Sequence, residues 1–175
     1  MYLYETFKRS DTRIIKRFFI TLILSINIVF GTSTFAAPED TVTVEVKNPR
    51  AEARSIYQIN FLISKPISHK AIIRVRFPIE FDLSKLLVAG SNTINGGFEM
   101  TVENDVVTIK RSGLGREIKA NEKVDVKFAI VKNPIKADDN YSVQVEVFDD
   151  NNDSIIQKQE TVKILPKIEK PEPLK

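Results

Sequence analysis

The chain has 175 residues, with 26 Lys/Arg against 23 Asp/Glu, one histidine and no cysteine. That length suffices for one domain with a sizeable core, and the lack of thiols excludes disulfide staples, thiolate nucleophiles and cysteine metal sites. The formal charge of +3 overstates how basic the domain is, because five of the cations fall within the first seventeen residues.

Those cations are Lys8, Arg9, Arg13, Lys16 and Arg17, and the apolar run Phe18 to Phe30 follows them. Thr34-Phe35-Ala36 then places small residues where a signal peptidase reads, with Ala37-Pro38 beyond. Basic, then apolar, then small is the order of a cleaved secretory leader, so residues 1–36 are expected to be a signal peptide. The alternative is a retained anchor, which needs about 20 apolar residues; this run has thirteen and includes Asn27. Beyond Ala36 the acids and bases balance at 21 each. Nucleic acids and anionic membranes select a basic excess, so neither is expected as a partner, and no membrane span is expected after cleavage. The expected location is secreted or extracytoplasmic, at the cell surface.

From Thr41 onward the period is two. Val42, Val44 and Val46 alternate with polar residues, as do Tyr57, Ile59, Phe61 and Ile63. Ile73, Val75 and Phe77 form the next run. Ser84 to Val88 reads as a helical turn or a short strand. Phe98, Met100 and Val102 follow, then Val107 and Ile109, with Asn104-Asp105 as a hairpin tip between them. Val124, Val126, Phe128 and Ile130 form a further inward row, and Tyr141, Val143, Val145 and Val147 another. Ile155-Ile156 and Thr161 to Ile164 close the series. Alternation rich in β-branched and aromatic residues predicts half-buried strands. Asn48-Pro49, Lys65-Pro66, Asn95-Gly96-Gly97, Ser112-Gly113 and Asp149 to Asp153 supply the turns. Eight or nine short strands of this kind predict an antiparallel sandwich over 37–165. Residues 166–175 are rich in Pro, Lys and Glu and are expected to form an extended, disordered tail.

Few motifs carry chemistry. Asp149, Asn151 and Asp153 place oxygens at alternate positions and are candidate Ca²⁺ ligands, with Glu160 at the twelfth place of an EF-hand count. Ser154 stands where that loop needs Gly, and strands flank it, so a solvated hairpin loop is the competing reading. Asp138-Asp139-Asn140-Tyr141 precedes a strand, and Tyr141 is a candidate structural tyrosine whose hydroxyl turns back to a loop carbonyl. His69 lies in a polar loop without an evident partner, which makes it a surface residue. No residues stand out as catalytic or cofactor-binding, and a secreted hydrolase is the least favoured class. The segment Phe81 to Gly90 is leucine-rich and is expected to cover an open end of the sandwich.

Several of these residues form a familiar set: Asn48-Pro49, Tyr57-x-Ile59-x-Phe61, Ile73-x-Val75-x-Phe77-Pro78, Val131-Lys132-Asn133-Pro134 and Tyr141-x-Val143-x-Val145. In them the chain resembles the immunoglobulin-like β-sandwich modules of bacterial cell-surface and extracellular-matrix proteins, over roughly Thr41 to Leu165. The resemblance implies an all-β fold and a non-catalytic structural or adhesive binding module, with protein or polysaccharide as partner. The alternative is a carbohydrate-binding module stabilised by Ca²⁺. A more distant resemblance, to the amphiphilic immunoglobulin-like protein that coats bacterial biofilms, implies an exposed leucine-rich cap at Leu83 to Val88.

Overall fold

The computed structural model describes residues 39–169; the expected signal peptide and the last six residues lie outside that range. Nine strands occur among the described residues and no helix. They are β1 (Thr41–Val46), β2 (Arg54–Leu62), β3 (Ile72–Arg76), β4 (Val88–Gly90), β5 (Phe98–Glu103), β6 (Val106–Arg111), β7 (Lys123–Lys132), β8 (Asp138–Phe148) and β9 (Ser154–Ile164). Two antiparallel sheets result, one in the order β1-β2-β7-β4 and the other β5-β6-β3-β8-β9. The fold is therefore an all-β antiparallel sandwich, as the alternation predicts.

Alternation works because successive side chains leave a strand on opposite faces. Ile59, Ile73, Val75, Val107, Ile109, Val126, Val143, Val145 and Val147 are fully buried between the sheets. Removing each such side chain from water contributes roughly 1.5–3 kcal/mol before chain ordering is counted. An aromatic cluster fills one half of the core. Tyr57 meets Phe77 edge-on at 5.3 Å between ring centres and stacks on Phe128 at 6.3 Å. Phe77 reaches Phe81 at 5.4 Å, and Phe81 meets Tyr141 edge-on at 5.2 Å. Edge-to-face pairs place the positive rim of one ring against the negative face of the next, which favours this packing over a face-to-face pile.

Two sequence expectations change. Ile130 is not on the inward row: it is 37 % exposed, whereas Val131 is buried. The register explains this, since Tyr57 pairs Phe128 and Ser55 pairs Val131, so Ala129 and Ile130 together oppose Ile56. One extra residue in β7 is a bulge, and it reverses the facing of everything beyond it. The leucine-rich segment divides. Phe81, Leu83 and Leu86 are buried, but Leu87 and Val88 are exposed, and only Val88 to Gly90 forms a strand.

The register also sorts the loops into two ends. Segments 47–53, 77–87, 104–105, 133–137 and 165–169 meet at one, and 63–71, 91–97, 112–122 and 149–153 at the other. They are called here the near and far ends.

Candidate functional site

A groove of about 470 Å³ runs over the outer face of the four-stranded sheet, toward the far end. Thr41 and Thr43 of β1, Gln58 and Asn60 of β2, and Lys123 and Asp125 of β7 line it, with Asn92 and Thr93 from the loop after β4. These are the outward members of the alternating rows, so strand pairing itself sets their order: Thr43 stands opposite Asn60, and Asn60 opposite Asp125. Gln58 donates through its side-chain nitrogen to Asn60 Oδ1 at 2.7 Å. The polar side chains of the lining are hydroxyls, amides, one ammonium and the Asp125 carboxylate, and Phe61, Leu62 and Val124 supply apolar surface between them.

Asp125 holds the loop wall. It is 5 % exposed. Its Oδ1 accepts from the Thr93 hydroxyl at 2.7 Å, the backbone N–H groups of Asn92 and Thr93 at 3.1 Å each, and the Ser91 hydroxyl at 3.2 Å. The Asp125 N–H donates back to Thr93 Oγ1 at 2.8 Å. Its Oδ2 has no hydrogen-bond partner and faces the Lys127 ammonium at 3.4 Å. Burial pushes this carboxyl up, while the Thr93 hydroxyl, the Asn92 amide and the Ser91 hydroxyl pull it down more strongly, leaving it below the ordinary Asp value. A buried carboxylate in a polar groove invites a catalytic reading. Its Oδ1 is spent on the loop and positions residues 91–93.

The five-stranded sheet shows a different outer face. Arg74 pairs with Glu146 at 3.8 Å and lies over the Phe148 ring at 4.7 Å. Gln144 donates to Glu146 at 3.4 Å. These groups bond to one another across the face.

The near end carries a buried polar network that the sequence reading missed. The Tyr57 hydroxyl donates to Asn133 Oδ1 at 2.7 Å, and Asn133 Nδ2 donates to the carbonyls of Asn48 at 2.8 Å and Arg50 at 2.7 Å. Asn133 is 2 % exposed. Burial pushes the Tyr57 phenol far up, so it stays a donor. The only available signal was Asn before Pro at two places, Asn48-Pro49 and Asn133-Pro134, and it gave no hint of a link between them.

The residues singled out in the sequence fall as follows. Tyr141 is buried, and its hydroxyl donates to the Lys136 carbonyl at 3.0 Å. Asp149 Oδ1 accepts the backbone N–H groups of Asn151 and Asp153, each at 2.9 Å, and Asn152 takes a left-handed φ of 66°. That carboxylate is organising its own turn. Among the described residues no group of three or more His, Asp or Glu side chains is placed to hold a metal ion. His69 is exposed, and Glu160 lies within β9, paired with Val143.

No protein-family model and no curated protein sequence matches the chain. Similarity to solved structures is at the level of fold. A cohesin module of a family 33 glycoside hydrolase from Clostridium perfringens aligns with 73 % of this chain and 98 % of its own, at 16 % identity and a TM-score of 0.52. BslA, described as a bacterial hydrophobin, aligns with 77 % of this chain and 99 % of its own, at 8 % identity and a TM-score of 0.50. The full-length major pilin SpaD of Corynebacterium diphtheriae matches over 70 % of this chain and 33 % of its own, at 11 % identity and a TM-score of 0.49. The described domain thus shares its β-sandwich fold with that cohesin module and with BslA.

Proposed function

We propose that this chain is an exported, non-catalytic structural or adhesive module that works at the cell surface or in the extracellular matrix. It engages a protein partner through the outer face of its four-stranded sheet. The observation that carries this reading is the groove itself, a recess walled by a loop that Asp125 anchors. A preformed wall lowers the ordering cost of binding. Exposed hydroxyls and amides at strand spacing match the alternating donors and acceptors of an extended peptide.

A second reading, a polysaccharide partner, is favoured by the same amide and hydroxyl lining. Against it, Phe61, the one aromatic residue of the lining, is buried in the core row.

The test is binding of the labelled, exported protein to cells of its host, before and after treating the cells with protease or periodate. The reading predicts binding that protease abolishes and that a Gln58→Trp or Asn60→Trp variant weakens about tenfold. Loss to periodate alone supports the polysaccharide. Binding indifferent to both groove variants contradicts a site in this groove.

A further inference from the structure

Charge is shared unequally between the two sheets. The strands of the five-stranded sheet carry six cations and six anions. Those of the four-stranded sheet carry four cations, Arg54, Lys123, Lys127 and Lys132, against two anions, Glu45 and Asp125. All six stand on its outward rows. Glu45 is opposite Gln58, and Arg54 is opposite Lys132 beyond the bulge. Lys123, Asp125 and Lys127 alternate with the buried Val124 and Val126. They share the face that bears the groove, and Lys123 lines the groove itself.

Both anions are engaged. Glu45 pairs with Lys47 at 2.8 Å. Asp125 faces Lys127 at 3.4 Å and gives its other oxygen to the loop after β4. Three cations are left over. Among the described residues, Arg54, Lys123 and Lys132 have no carboxylate oxygen within 4.0 Å. Asp82 meets Lys132 through the backbone, but its carboxylate accepts the Ser84 N–H at 2.9 Å, and Glu52 is tied to Lys167. On the other sheet Arg74, Arg76 and Lys163 are each matched, by Glu146, Asp105 and Asp139.

Arg54 and Lys132 also stand directly opposite each other. Like charges so placed destabilise a sheet, and a cost of that kind is expected where function requires it. Three unmatched cations on one face of an otherwise balanced domain call for an anionic partner. Duplex nucleic acid and anionic bilayers select a dense basic cluster. These cations are spread instead: nine residues of β7 separate Lys123 from Lys132, about 30 Å at strand rise. The amides of Gln58 and Asn60 lie on the same face within that interval. Such spacing suits an extended peptide that carries a few acidic side chains among polar ones.

We infer that the segment this face engages is acidic, an extended peptide whose carboxylates meet Lys123 at the groove and Lys132 with Arg54 toward the near end. This rests on the groove reading and names the chemistry of its partner. Exposed ion pairs are individually weak, so the cations act mainly on specificity and association rate, and their effect fades with salt.

The test uses a capped twelve-residue Ser/Thr peptide with Glu at its second, sixth and eleventh positions, spaced to meet Lys123, Lys127 and Lys132. Two copies carry Gln or Lys at those places. The exported protein should bind the Glu peptide about tenfold more tightly than the Gln peptide at about 50 mM NaCl, and the advantage should vanish at about 0.5 M. The triple variant Arg54→Glu, Lys123→Glu, Lys132→Glu should lose the Glu peptide and gain the Lys peptide, a reversal that misfolding cannot produce. Arg76→Glu, on the other sheet, should change neither. On host cells the triple variant should weaken binding as Gln58→Trp does. Equal binding of the Glu and Gln peptides overturns the inference. So does tighter binding to duplex DNA or to phosphatidylglycerol vesicles than to the Glu peptide. Cell binding that Gln58→Trp weakens and the charge variant leaves intact overturns it while the groove reading stands. Cell binding that neither weakens overturns both.

Discussion

Asn133 shows how much one side chain can hold. It joins the β2 tyrosine, the turn after β1 and the start of the β7–β8 connection through three short hydrogen bonds, the one to Tyr57 buried and the other two part-buried. Replacing one partner of a buried hydrogen bond leaves the other without compensation, and that costs more than the bond itself contributes. Tyr57→Phe should therefore lower unfolding free energy by about 1–3 kcal/mol, and Asn133→Ala by about 3 kcal/mol or more, in urea titrations. Asp125 gives a pH signature. Its folded-state pKa lies below the ordinary Asp value, so its contribution is complete above that ordinary value and is lost as pH falls through the depressed one. The stability gap between the protein and Asp125→Asn should be constant near neutrality and narrow below about pH 4. A gap that widens in acid would contradict the assigned role.

Elements depend on a few backbone positions. In the β5–β6 hairpin, Glu103 pairs Val106 and Asn104 turns the chain with φ at 55°. Asn tolerates the left-handed region better than a β-branched residue does. Asn104→Gly should be nearly neutral, and Asn104→Val should cost about 1–2 kcal/mol. Gly115 is constrained by space instead. A Cβ there would lie 2.1 Å from the Asn95 carbonyl oxygen, so the 91–97 and 112–122 loops would have to separate. Gly115→Ala should destabilise by about 2 kcal/mol and, by shifting the loop that follows β4, weaken groove binding; chemical denaturation and the cell-binding assay read the two effects. Most strands were legible at this scale, because a period of two states which face is buried. The β7 bulge was not, since nothing in Phe128-Ala129-Ile130-Val131 says which residue is extra. The three-residue β4 was too short to show a period. The candidate Ca²⁺ loop was visible as a turn, but the bonds of Asp149 to its own backbone could be seen only in three dimensions.

Across the domain, the groove was hidden because it is assembled from side chains far apart in sequence. Thr43, Asn60, Asp125 and Thr93 come from three strands and a loop, and none is unusual where it stands. Sequence periodicity assigns residues to inside or outside and stops there; the order of strands in a sheet decides which outside residues become neighbours. The two outer faces then differ: on the five-stranded sheet Arg74, Glu146 and Gln144 bond to one another, and on the four-stranded sheet the groove lies open. Binding through the open face is the central claim, and site-specific photo-cross-linking on host cells tests it most directly. With a photoreactive residue at Gln58 in one version of the exported protein and at Arg74 in another, the account predicts a discrete partner adduct from position 58 and none from position 74. Adducts from position 74 alone would contradict it.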